Sequence, residues 1–270
     1  MKRFVALFLC VCCITLLLSG CKQPPVDSPD KNTSGHTQNT QSTTQPTTQP
    51  TESTTQPTEP VIVEDIEGPL AQYVQTTMKE TLKMTNSKYG NKDESTPVRI
   101  PRLLPFSEDA ITVQAEIQEE FDEIITYIRN NHAEGFGTAY DTIDYNAYLN
   151  HSVFSLVIHL VGRTDAIDYR VYNFDTATGK RLDTPELMSK LQIADYADKF
   201  AQVAKQAYEE KYAHYQDKDD FYHSQLAATV SKENIDKAMP YIAENGKVMV
   251  VIDIYAIAGA AYYPEAIPLS

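Results

Sequence analysis

Four acidic side chains crowd one stretch of this 270-residue chain: Glu119, Glu120, Asp122 and Glu123. Paired carboxylates can supply the acid and the base or nucleophile of glycoside cleavage. They interleave with Ala110, Val113, Ile117, Phe121, Ile124, Ile125 and Ile128, an apolar stripe at helical spacing. Most of the carboxylates then lie on the polar side of an amphipathic helix, and a solvated face is the simpler expectation. The body histidines His132, His151, His159, His214 and His223 are scattered, with no HExxH pair to hold a metal. Asp217-Lys218-Asp219-Asp220 suggests a calcium loop. An EF-hand needs Gly at its sixth position and Glu at its twelfth, and those are Tyr222 and Ala228. Neither a Gly-x-Ser-x-Gly elbow nor a Gly-rich phosphate loop occurs. No catalytic residue, metal or cofactor is expected. Tyr262 and Tyr263, after the small-residue bend Gly259-Ala260-Ala261, are candidates for an aromatic contact surface.

All four cysteines, Cys10, Cys12, Cys13 and Cys21, lie in the first 21 residues. The remainder therefore holds no disulfide scaffold, thiolate metal site or cysteine nucleophile. Lys2 and Arg3 precede an apolar run from Phe4 to Leu18, interrupted only by Thr15. Fifteen helical residues reach about 22 Å, short of the roughly 30 Å hydrocarbon core, so a signal-peptide h-region fits better than a membrane span. The run ends in Leu18-Ser19-Gly20-Cys21. That sequence resembles the lipobox of bacterial lipoproteins. The resemblance implies cleavage after residue 20 and lipidation of Cys21, with stable anchoring through two or more acyl chains.

Residues 21–60 read as a disordered tether. Between Cys21 and Pro60 the only branched aliphatic residue is Val26, and Thr-Gln-Pro recurs at 44–46, 48–50 and 55–57. With no apolar surface to bury, ordering entropy has nothing to offset it, and the prolines favour extended backbone. Such a spacer would carry a domain away from a membrane and into a cell wall, as in Gram-positive surface lipoproteins.

Residues 61–270 carry all 17 tyrosines. A chain of this size buries about 70% of its unfolded surface, enough for a core without staples. Leu70, Val74, Met78 and Leu82 predict a helix over 69–84, and 85–97 reads as a loop. Ile100-Pro101-Arg102-Leu103 is extended. A long helix starts at Ser107, a capping residue, and ends near Asn130-Asn131. Strands follow over 138–149, 153–161 and 169–175, the second apolar enough to be central. Thr184 as N-cap and Pro185 open a helix that breaks near 192–195 and continues to Tyr212. Ser231 caps a short helix through Ala238. Asn245-Gly246 predicts a hairpin into a strand over 247–255, and 265–269 is extended. The pattern is α+β: an antiparallel sheet with helices packed mainly on one face.

Tyr172-Asn173-Phe174-Asp175, then Thr178-Gly179-Lys180 and Leu182, resemble the strand–turn of a family of extracytoplasmic domains. Glu244-Asn245-Gly246, Tyr255-Ala256-Ile257-Ala258 and Ala266-Ile267-Pro268 resemble its C-terminal part, and Ile100-Pro101 before a long helix resembles its opening. The family occurs outside the membrane in RsiV-type anti-sigma factors, which sense lysozyme, and ahead of the catalytic domain in PdaC-type peptidoglycan deacetylases. The resemblance covers roughly residues 97–270. Many members carry a Gly- and His-containing segment between the second and third strands. Here that stretch runs from Gly162 to Asp168 and keeps only its first glycine. Arg163 and Asp165 of this stretch join Tyr262 and Tyr263 as the candidate ligand surface. The sequence contains neither a cytoplasmic segment nor a deacetylase domain, so neither sigma-factor sequestration nor deacetylation is expected of it.

The formal charge of −14 argues against nucleic acid, whose phosphates need a basic surface. Loss of Lys2 and Arg3 with the signal would move it to −16. These features together predict a non-enzymatic, lipid-anchored domain outside a Gram-positive-type membrane. Its ligand would be a protein, such as a cationic lysozyme, or a wall-derived molecule. A wall-active carboxylate hydrolase and an assembly module for a membrane partner are the alternatives.

Overall fold

A computed structural model describes residues 66–86, 92–133, 140–162, 166–258 and 261–269. Cys21, the tether, Arg163 and Asp165 lie outside them. The chain divides after Thr55, and every described element belongs to the unit Gln56–Ser270.

The architecture is α+β, built on two sheets. The first has six strands in the order β1 (Val74–Asn86), β2 (Lys92–Leu103), β3 (Tyr140–Asn150), β4 (Val153–Gly162), β5 (Ile167–Asp175) and β6 (Arg181–Leu182). All neighbours are antiparallel except β2 and β3, which α1 (Glu108–Ala133) connects as parallel strands. The second sheet holds β7 (Met239–Ile242), β8 (Val248–Tyr255) and β9 (Tyr262–Pro268), all antiparallel.

Period-two alternation sorts the cores. Leu156, Ile158 and Leu160 of β4 turn toward α1, whose Val113, Ile117, Phe121, Ile125 and Ile128 are all buried against them. Val157, one residue out of phase, faces Tyr241 of β7 and Val251 of β8 between the sheets. The far face of the second sheet, with Val250, Ile252 and Ile254, is covered by α2 (Thr184–Lys190), α3 (Tyr196–Lys211), α4 (Asp220–Thr229) and α5 (Lys232–Asp236). Each sheet thus carries helices on one face and turns its other face to its partner. Each fully buried Leu, Ile or Phe contributes about 1.5–3 kcal/mol.

The expected helix over 69–84 is not formed. A 3₁₀ turn spans Gly68–Gln72, and Val74 onward is strand. The spacing of four that predicted a helix is also a multiple of two. Val74, Met78 and Leu82 therefore fit one face of a strand as well, and threonines at 76, 77, 81 and 85 favour it. The expected loop over 85–97 is partly strand, because β2 begins at Lys92 and pairs with β1 in a long hairpin.

Local signals place most other elements. The Ala110 N–H donates to Ser107 Oγ, capping α1. His151 and Ser152, both at positive φ, make the two-residue β3–β4 turn. The N-cap of α2 is Asp183 rather than Thr184. Asp183 and Glu186 form a reciprocal capping box, and the Thr184 hydroxyl donates to Ala238 O instead. The break before α3 is bounded by Gln192 and Asp195 in the left-handed region. Helix α4 was not expected; Asp219, in the acidic loop, caps it by accepting from the Tyr222 N–H at 2.9 Å.

At three places side chains stand in for missing strand neighbours. On β3, Tyr140 O accepts from Thr96 Oγ1 (2.7 Å) and Tyr145 O from Arg99 Nη2 (2.6 Å). On β7, the Ile242 N–H donates to Ser155 Oγ and Pro240 O accepts from Asn173 Nδ2. On β8, Asp253 O accepts from Asn234 Nδ2 and the Tyr255 N–H donates to Thr229 Oγ1. Backbone groups left without a partner inside a protein would each cost about 1–3 kcal/mol.

Candidate functional site

Tyr262 and Tyr263 are the described members of the expected ligand surface. Strand alternation sends them to opposite faces of β9. Tyr262 is 45% exposed. It stands opposite Tyr255 of β8, with ring centroids 5.8 Å apart. Tyr263 is half-buried, and the Lys211 ammonium of α3 lies 4.7 Å over its ring. Lys211 also pairs with Glu265, so this second tyrosine packs β9 against α3.

Two carboxylates join Tyr262. Asp253 lies on β8, half-buried in an otherwise apolar strand. Burial pushes its carboxyl above the ordinary carboxylate range; nearby Lys237 opposes the shift and Asp168 adds to it. Asp168, exposed at the start of β5, immediately follows the Gly162–Ile167 connection. That connection is closed at its neck by the Gly162 N–H donating to Ala166 O at 2.7 Å. The Tyr262 phenol is pushed up, first by the charge of Asp253, then by burial, Asp168 and Tyr255. The start of β5, the end of β8 and the start of β9 therefore bring Asp168, Asp253, Tyr255 and Tyr262 into one electrostatic neighbourhood.

This arrangement suits a cation. The half-buried Asp253 carboxylate, destabilised by burial and by the nearby Asp168 charge, is relieved by a positive charge. The faces of tyrosine rings attract ammonium or guanidinium groups. Asp168 closes the Gly162–Asp168 stretch and Tyr255 opens a resemblance motif, but neither of them nor Asp253 is among the site residues expected from the sequence. The available signal was Asp253 itself, a lone carboxylate in the run Val248 to Ile254.

The other candidates are engaged elsewhere. Glu120 accepts from Arg170 of β5 at 2.8 Å, while Glu119, Asp122 and Glu123 are exposed along α1. His151 is exposed in its turn, and His214 and His223 are exposed. His159 is half-buried between Asp144 and Tyr169 on the neighbouring strands. Burial holds its imidazole below the usual value; Asp144 opposes this and Arg99 adds to it. The side chain of His132 lies outside the described residues. Among the described residues, no three His, Cys, Asp or Glu side chains are grouped to hold a metal ion, and no helix is long and apolar enough to cross a membrane.

Comparison with known protein families and with curated proteins found no match to this chain.

Proposed function

We propose that this chain is a lipid-anchored, extracytoplasmic binding protein without catalytic activity. Cys21 would carry the acyl chains, residues 21–60 would act as the tether, and the Gln56–Ser270 unit would capture a cationic protein or wall-associated ligand. The observation that carries the reading is the meeting of Asp168, Asp253, Tyr255 and Tyr262 at one end of the sheets, in a chain of net charge −14. Carboxylates would steer a cationic partner in, and the exposed Tyr262 ring would add contact area with little ordering cost. A carboxylate hydrolase draws less support, because Glu120 is neutralised by Arg170.

The binding half is tested with lysozyme as the cationic probe against the Gln56–Ser270 unit. It should bind at low ionic strength and more weakly at about 0.15 M, where the Debye length is about 8 Å. Asp253→Asn and Asp168→Asn should weaken binding and flatten its salt dependence. Tyr262→Ala should weaken it at both salts. Absence of binding at either salt removes the cationic-partner reading. The anchoring half is tested by fractionation: Cys21→Ser should move the chain from membranes to the soluble fraction, and retention on membranes would overturn it.

A further inference from the structure

Between α1 and the β1–β2 hairpin lies a crevice of 390 Å³, at the point where the β1 register slips between Thr76 and Met78. Its floor is apolar. Ile100, Ile117, Phe121 and Ile125 contribute, each at most 7% exposed, and Met78 closes one side. Its polar lining includes Arg102 from β2 and Gln118 and Asp122 from α1. Gln114, also on the wall, is committed: its Oε1 accepts from the Leu103 N–H at 2.6 Å and ties α1 to β2.

Arg102 is the odd one among the described arginines. Arg99, Arg129, Arg170 and Arg181 each pair with a carboxylate. Arg102 is partly buried at the crevice and has no hydrogen-bond or ion-pair partner among the described residues. Asp122 shares the crevice without pairing to it. A guanidinium with five directed donors and no acceptor, over an apolar floor, is suited to a carboxylate. Asp122 and the Gln118 carbonyl oxygen offer acceptors for an ammonium. The volume falls within the roughly 300–1,000 Å³ of small-molecule sites.

We propose that this crevice binds a small zwitterion with an apolar side chain, either a free apolar amino acid or an apolar dipeptide. The side chain lies on Ile117 and Phe121, the carboxylate pairs with Arg102, and the ammonium faces Asp122. An anionic amphiphile would leave Asp122 opposing it, and a cationic one would do the same with Arg102. The site is separate from the acidic surface around Tyr262 and does not depend on it.

The test is calorimetric titration of the Gln56–Ser270 unit, which contains all the cores described above, with phenylalanine and with a Leu-Phe dipeptide. Saturable binding of at least one is expected. Binding of phenylalanine alone identifies the amino acid, and binding of the dipeptide alone identifies the peptide. Against the probe that binds, the analogue lacking the ammonium and the analogue lacking the carboxylate should each bind at least tenfold more weakly. Arg102→Gln should weaken the zwitterion at least tenfold. Asp122→Asn should erase the preference over the analogue without an ammonium. Gln118→Trp, on the exposed face of α1, should block the mouth while preserving a cooperative melt. Tyr262→Ala should leave the affinity unchanged. Failure of both probes to bind, equal affinity for all analogues, or unchanged binding by Arg102→Gln would overturn the proposal.

Discussion

The Ser155 hydroxyl donates to Asn173 Oδ1 at 2.7 Å, and both residues are buried between the two sheets. Ser155 Oγ also accepts from the Ile242 N–H, and Asn173 Nδ2 donates to Pro240 O at 2.8 Å. Two side chains of the first sheet therefore complete the outer edge of β7 in the second. The face between the sheets is set by these directed bonds as well as by the stacked rings of Tyr148 and Tyr241, 6.0 Å apart.

Ser155→Ala should cost about 1–3 kcal/mol, since it strands Asn173 Oδ1 and the Ile242 N–H away from water. Asn173→Leu should cost a similar amount. The double variant should lose less than the sum, because the two residues share one network. Urea denaturation of the four proteins measures the coupling; full additivity would contradict a shared network.

Gly179 sits at φ +73°, and a Cβ added there would lie 2.5 Å from Ser107 Cβ. The β5–β6 turn is docked on the start of α1, where the Arg181 N–H also donates to Asp109 Oδ2. Gly179→Ala should cost about 2 kcal/mol or more, combining left-handed strain with a contact against the α1 cap. Thermal melts of Gly179→Ala and of Gly179→Ala/Ser107→Gly separate the two causes. The second variant should recover only the steric part.

Asp253 should make the fold less stable at neutral pH than an amide would. Its folded-state proton affinity is raised by burial above that of the unfolded chain. The folded state therefore holds more protons, and stability is lost as pH rises through the folded value. Asp253→Asn should raise the melting temperature at pH 7 and have little effect near pH 3, where the carboxyl is protonated in both states. An equal effect at both pH values would point to packing rather than charge. The same change is expected to weaken lysozyme binding, so stability and binding should move in opposite directions.

His159 gives the opposite slope. Burial lowers its folded-state value below about 6.5, so the unfolded chain takes up the proton first. Stability should fall as pH drops below about 6.5 toward the folded value. His159→Gln should flatten that window in denaturation curves, and an unchanged slope would show that other groups titrate there.

Arg99 donates through Nε to Asp144 at 2.5 Å and through Nη2 to Tyr145 O, where the β2–β3 ladder has a single backbone pair, Val98 with Ile143. Arg99→Met keeps the stem but removes both bonds. About 1–2 kcal/mol should be lost, discounted because the side chain is one-third exposed. Hydrogen exchange should rise first across β2 and β3; exchange confined to other strands would assign the seam to packing alone.

The sequence by itself determined the elements whose signals are local. Ser107 caps α1, Ser231 caps α5, Asn245-Gly246 turns β7 into β8, and the apolar run 153–161 is a central strand buried on both faces. These depend on side-chain spacing and on φ preferences within a few residues. A spacing of four could not tell the helix expected over 69–84 from strand β1, since both periods accommodate it. The tertiary structure decided that: β1 pairs along its length with β2 and lays Val74, Met78 and Leu82 against the core under α1. It also decided the site. Asp168, Asp253 and Tyr262 come from three strands, separated by up to 94 positions, and their mutual charge is a property of the folded arrangement. Tyr262 and Tyr263 looked equivalent as a pair, yet the pleat of β9 leaves one exposed and spends the other on Lys211. Likewise the sequence places Arg102 only in an extended piece, and the packing of α1 on β2 leaves its side chain at an apolar crevice without a partner among the described residues.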